Sequence, residues 1–436
     1  MSETKELKAY GMNRKILSLA LPNIISNITV PLLGMVDMAI IGHLGDASYI
    51  GAIAIGASIF NFVYWGFGFL RMGTSGLTAQ AFGARDLTEC MRVMTRAMTI
   101  GLAIAFLLLL LQVPLFSLSA SLMNTSERVY PLVLQYFFVR IWAAPATLGL
   151  YVFKGWFIGM QNSRTPMWIS IMINVVNIVF SLLFVIVWKL DIAGVALGTV
   201  IAQYSGVLAF LFVLRRYYGK VLRYRDFRGS FRLDKMRRFF HVNKDIFLRT
   251  LCLVVVFTFF TSASSKMGES VLAVNALLLQ LFMLFSYIMD GFAYAAEAMV
   301  GRFYGACNRR LLNLCIRDIL WWGIGLGTVF TLLYATALDP ILSLFTDDAS
   351  VIAAAAPYYG WIVAIPLAGF IAFIFDGVLI GMTETKLMRN VIFAATALFF
   401  GIYYTTVPGI GNNAIWLSLI LFLLVRGVGQ MALFYR

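Results

Sequence analysis

The stretch Ile100-Gly101-Leu102-Ala103-Ile104-Ala105-Phe106-Leu107-Leu108-Leu109-Leu110-Leu111 holds no polar side chain, and it decides the fold class. A barrel strand facing lipid on one side would alternate apolar and polar residues; a continuous run belongs to a helix crossing the hydrocarbon core. Outward from it the apolar segment extends over roughly 92–115, more than the ~20 residues that a span requires. Eleven further runs cover roughly 15–41, 51–78, 130–158, 166–188, 192–214, 245–264, 270–300, 314–338, 351–381, 390–407 and 412–434. The first is longer than a signal-peptide core and reads as a retained span. Composition agrees. The 436 residues are 61% hydrophobic and 12% charged, against about 45–50% and 25% in a soluble protein. The reading is an all-α integral membrane protein with twelve transmembrane helices. Disordered, collagenous and disulfide-scaffold classes are excluded. Four scattered cysteines without CxxC spacing and only two histidines, His43 and His241, argue against zinc or haem, so no cofactor is expected.

The net charge of +14 has to be read by position. Between Arg215 and Lys244 lie eleven Lys/Arg and only Asp226 and Asp234 in opposition, which reads chiefly as a solvated linker. Numbering the loops alternately, twenty-six Lys/Arg fall on the side of that linker and the two tails. The other side holds Arg128, Lys189 and Lys266. The positive-inside rule then makes both termini cytoplasmic. The basic excess faces lipid headgroups, and no nucleic-acid partner is implied. The expected organisation is a tail at 1–13, an N-lobe at 14–216, a linker at 217–243 and a C-lobe at 244–436.

The halves repeat. Phe153-Lys154-Gly155-Trp156-Phe157-Ile158-Gly159-Met160 aligns with Phe375-Asp376-Gly377-Val378-Leu379-Ile380-Gly381-Met382 at a shift of 222, and Gly83-Ala84 aligns with Gly305-Ala306 at the same shift. Six spans per half is an even number, so both halves enter from one side. Two pseudo-symmetric six-helix lobes, related as a parallel repeat around a central cleft, are expected.

Ionisable groups inside spans are candidate functional residues. Asp37 lies late in the first span, six residues before His43; solvation among the outer headgroups is its bland alternative. Pro22 and Pro31 remove backbone donors from the same helix and permit bending. Asn174 and Asn177 share a face of the fifth span, flanked by Ser170 and Ser181, and Thr199 lies in the sixth. Such stripes serve equally as interhelical glue or as cavity lining. Asp290 and Glu297 share a face of the eighth span, and Asp376 lies in the tenth. Arg71, Arg140, Lys154, Arg249 and Arg426 are intramembrane cations, with Arg249 near enough to a span start to reach the headgroups. Lys154 and Asp376 occupy equivalent repeat positions with opposite charge, which suggests an ion pair across the lobes. No nucleophile–base pair accompanies them. The absence of GxxxxGK[ST] points to an ion gradient rather than ATP.

On Met35-Val36-Asp37, Leu70-Arg71-Met72-Gly73-Thr74-Ser75-Gly76, Met289-Asp290-Gly291-Phe292 and Phe375-Asp376-Gly377, the chain resembles the multidrug and toxic compound extrusion (MATE) family, in its DinF-like branch, over nearly its whole length. The resemblance implies two lobes, a central cleft and export driven by protons or sodium. It implies Asp37 as the coupling acid, Pro22 as the bending point, and Asn177 and Thr199 as its companions. Where the family pattern has an aspartate, this chain has Ser181, a departure that favours protons over sodium. The acidic positions of the other main branch have no counterpart between Phe247 and Ala263. The expected function is antiport of small amphipathic, cationic compounds by a monomer in the bacterial inner membrane. A flippase of a lipid-linked precursor is the alternative, and a membrane-embedded enzyme a third class that lacks its catalytic constellation.

Overall fold

The computed structural model of the protein describes residues 11–42, 47–123, 127–346 and 348–436; His43 lies outside them. Among the described residues, twelve helices are long and apolar enough to cross a membrane: Met12–Ile40, Ser48–Gly83, Leu87–Leu110, Tyr130–Gly159, Arg164–Val187, Asp191–Tyr217, Leu233–Lys266, Glu269–Gly305, Arg309–Leu342, Ala349–Met382, Thr385–Ile410 and Asn413–Tyr435. They are called the first to twelfth spans in that order. Two are interrupted near the middle. The second joins Ala47–Gly66 to Phe69–Gly83 through a turn at Phe67 and Gly68. The fourth joins Tyr130–Arg140 to Ala144–Gly159 through a 3-10 turn, and Pro145 opens its second helix, where a missing N–H costs nothing. The first span runs as one helix, Met12–Gly42, through Pro22 and Pro31.

Two compact units emerge. One is Ile25–Asn243; the other joins the start of the first span, through Ile24, with Lys244–Arg436. The repeat seen in the sequence is present in the backbone of both. Arg85 and Cys307, 222 apart, both adopt left-handed φ, at 59° and 54°. Each follows a helix closed by a six-to-one hydrogen bond, Asp86 N to Ala81 O and Asn308 N to Phe303 O. Asp86 and Asn308 then cap the next helix, accepting from the amides of Glu89 and Leu311. Gln161 and Thr383, also 222 apart, are left-handed at 64° and 58°.

Glycines hold the two units' central crossings together. A Cβ on Gly155 would overlap the carbonyl oxygen of Arg71, and one on Gly377 would overlap that of Ala293. One turn on, a Cβ on Gly159 would lie 2.7 Å from Ser75 O, and one on Gly381 2.7 Å from Glu297 O. The fourth span therefore lies backbone-to-backbone on the second, and the tenth on the eighth. Close approach through small residues is how membrane helices gain packing energy, since lipid offers no hydrophobic drive.

The linker is less loose than its composition suggests. Short helices at Gly219–Leu222 and Phe227–Ser230 precede the seventh span, which starts at Leu233, twelve residues before the run at 245–264. Arg92, near the start of the third span, donates from Nε to Asp226 at 3.1 Å, and Arg96 Nε donates to Ser230 O at 2.8 Å. Arg238 donates to Gln80 at 2.9 Å. The backbone amide of Gly229 and then the Arg92 guanidinium hold the Asp226 carboxyl below the usual carboxylate range. The basic segment is thus strapped to the Ile25–Asn243 unit.

Candidate functional site

Small residues also build the surroundings of Asp37. Gly194 and Gly198 of the sixth span face Phe184 and Ser181 of the fifth, with a Cβ on Gly198 only 2.5 Å from Ser181 Oγ. That approach carries Thr199 to Asn177. With the amide set so that both ends are bonded, Asn177 Nδ2 donates to Asp37 Oδ1 at 3.0 Å, and its Oδ1 accepts from Thr199 Oγ1 at 3.0 Å. Thr199 Oγ1 also lies 3.1 Å from Val195 O. Asp37 is 7% exposed and Asn177 0%, so the acid sits inside protein rather than among headgroups. Asn174, one turn away, donates to Thr29 O of the first span at 3.1 Å. Ser181 is fully buried, and its Oγ has no hydrogen-bond partner among the described residues. Just beyond Ser181 the fifth span widens into a π segment, Leu183–Val187, a feature common at functional sites.

Arg140 belongs to this group as well. It ends the first helix of the broken fourth span, where the helix dipole favours a cation. It donates to the Tyr136 hydroxyl and stacks over Phe60, 5.1 Å from the ring centre. Its charge acts on Asp37, Tyr136 and Tyr64. Sequence reading placed Arg140 only among the intramembrane cations; the Pro145 that follows it, marking a helix break, was the available signal.

The C-terminal unit holds a separate charge set. Asp376 Oδ2 accepts from both Arg249 and Arg426, and its Oδ1 accepts from Gln430 at 2.9 Å. Asp376 and Arg426 are 4% and 3% exposed. One earlier expectation gives way here. Arg249 does not turn outward: it is 8% exposed and its guanidinium donates to Asp376. Within its own unit Asp376 is bonded by Arg249, Arg426 and Gln430, three partners that the repeat position of Lys154 did not point to. The charge of Asp290 reaches Arg426. Glu297 is 1% exposed, at the crossing of its helix with Gly381. Arg426 stood in the sequence only among the intramembrane cations, and Gln430, being uncharged, gave no signal.

Lys154 and Arg71 stand together on the crossing of the fourth and second spans, Gly155 resting on the Arg71 backbone. Pro22 is buried in the first span, two residues before the point where the chain passes from one unit to the other.

Twelve candidate membrane helices among the described residues, in two repeated halves with buried polar and charged groups on interrupted and bulged spans, are the architecture of a membrane-transporter class of protein. The MatE family model matches residues 22–183 and 246–405, one block in each half, and the chain belongs to that family. Its members are transporters rather than enzymes. The chain is 36% identical over 423 residues to the DNA damage-inducible protein F of Escherichia coli, covering 96% of this chain and 91% of that one. It is 22% identical to a probable multidrug resistance protein NorM of Photorhabdus laumondii, covering 95% and 96%. The Vibrio cholerae MATE transporter VcmN in its bent form matches with a TM-score of 0.86 at 17% identity, covering 98% and 97%.

Proposed function

We propose that this chain is an antiporter that exports small amphipathic compounds from the cytoplasm in exchange for protons, with Asp37 as the group that carries the proton. The observation that supports this most is the Asp37–Asn177–Thr199 chain, because its atoms accommodate two complementary hydrogen-bond patterns. An ionised Asp37 is acceptor-only. It then takes the Asn177 amide N–H, and Thr199 donates to Asn177 Oδ1. A protonated Asp37 can donate to Asn177 Oδ1 once the amide turns over; Nδ2 then donates to Thr199 Oγ1 at 3.0 Å, and the Thr199 hydroxyl turns to donate to Val195 O. Protonation is thereby read across the first, fifth and sixth spans. Asn174, bonded to Thr29 O, ties the fifth span to the first below Pro22, where a missing backbone donor eases bending.

Exchange follows if cargo and proton compete for one carboxylate while the chain alternates between access states. An ionised Asp37 favours cargo with a cationic group. With Ser181 in place of a second acid, protons suit the site better than sodium, which prefers several oxygen ligands of high charge. All residues of the relay come from one chain, so a monomer suffices. The charge asymmetry of the loops supports cytoplasmic termini in the bacterial inner membrane.

The test is dye efflux in reconstituted liposomes under an imposed pH gradient, comparing Thr199→Ser with Thr199→Val. The serine variant should retain most of the efflux, and the valine variant should lose it, with uncoupler abolishing what remains. Valine equal to wild type, or transport that needs sodium at constant pH, would contradict the proton reading.

A further inference from the structure

Charged groups inside membrane spans are paired or face water, because an isolated charge there costs several kcal/mol. Asp376 follows this rule, with three partners in its own unit. Lys154 occupies the equivalent position 222 residues earlier, on a crossing built the same way, and does not. Among the described residues no carboxylate, hydrogen-bond acceptor or aromatic ring is recorded for its ammonium, and the charge acting on it is that of Arg71, another cation. Arg71 lies twelve residues from the end of its helix at Gly83, ~18 Å at ~1.5 Å per residue, well inside a hydrocarbon core ~30 Å thick. Lys154 is half-buried, whereas Asp376 is buried. The two cations stand together on this crossing, and among the described residues no acid balances the Lys154 ammonium.

We propose that Lys154 and Arg71 form a subsite for the acidic group of the exported compound: a carboxylate, sulfonate or phosphate oxygen held by the ammonium, with the guanidinium adding charge. The source of the anion rests on the exporter reading; the subsite does not. It extends the cargo from cations to compounds carrying an acidic group, and it is separate from the proton relay at Asp37.

Two xanthene dyes of opposite charge, fluorescein and rhodamine 6G, test this by fluorescence anisotropy on the full-length protein in neutral maltoside detergent, with no gradient. Lys154→Gln should weaken fluorescein binding at least about tenfold, as loss of one charged hydrogen bond predicts, and leave rhodamine 6G within about twofold. Lys154→Arg should keep most of the fluorescein affinity. Because the glutamine variant removes an uncompensated charge, its Tm without ligand should equal or exceed that of the wild type. Fluorescein affinity unchanged in Lys154→Gln, or a Tm markedly lowered by it, overturns the proposal. Phosphatidylglycerol added to the micelles should leave fluorescein binding as phosphatidylcholine does. Displacement by phosphatidylglycerol alone would assign the anion to a lipid headgroup and overturn the cargo assignment. Proton-driven efflux plays no part in these measurements, so failure of the antiport reading and failure of the subsite are told apart.

Discussion

Asp376 is a buried carboxylate shared by Arg249 and Arg426 and steadied by Gln430. Removing it leaves two guanidinium groups facing each other, and breaking a buried pair from one side costs about 3–5 kcal/mol. Asp376→Ala and Arg426→Ala should each destabilise the protein strongly, and the double variant by at least ~1 kcal/mol less than their sum. Asp376→Ala and Lys154→Ala should instead add within ~0.5 kcal/mol. Denaturant unfolding in detergent micelles measures both cycles; additivity in the first, or coupling in the second, would restore the pairing suggested by the repeat. At this scale Asp37, Asn177 and Thr199 were legible because a carboxylate and an amide stripe have no bland place in a span. The partners of Asp376 were not. Arg249 looked interfacial because it lies near the start of its apolar run and its partner is 127 residues away, and repeat arithmetic pairs positions without saying which neighbours surround them.

At the scale of elements, four glycines set the two central crossings. Gly155→Ala and Gly377→Ala each force a backbone apart from a carbonyl it now touches, and each should destabilise by about 1–3 kcal/mol. Gly401→Ala provides the contrast: it lies in the eleventh span with nothing within 4 Å of a new Cβ, so it should be neutral or stabilise by ~0.5–1 kcal/mol through helix propensity. A thermal series in one detergent decides this. Equal Tm changes at Gly155 and Gly401 would mean that the crossings are not as tight as described. These glycines were visible in the sequence as a constant shift of 222. The left-handed turns at Arg85, Gln161, Cys307 and Thr383 were not, since none is glycine or asparagine and the closing hydrogen bonds hold them there. The docking of the linker was equally hidden, because a run of arginines looks the same whether solvated or bonded to Asp226 and Ser230 O.

For the whole molecule, twelve spans and their twofold repetition were readable from apolar run lengths, and their edges lie within a few residues of the helices except at the seventh. The functional account adds one claim to that architecture: the charge state of Asp37 sets which hydrogen-bond pattern the first, fifth and sixth spans adopt, and cargo competes with the proton for it. Asp37→Asn isolates this claim. Asparagine keeps the size of the side chain and can still bond Asn177, so the variant should fold and insert at normal abundance, yet it cannot ionise. The measurement is dye efflux driven by a pH gradient in reconstituted liposomes, wild type beside Asp37→Asn, with sodium present and absent. The account predicts that the wild type transports without sodium and that the variant, though folded, loses gradient-driven efflux. Undiminished proton-driven efflux by Asp37→Asn would contradict it and shift the coupling to other carboxylates, Asp290, Glu297 or Asp376.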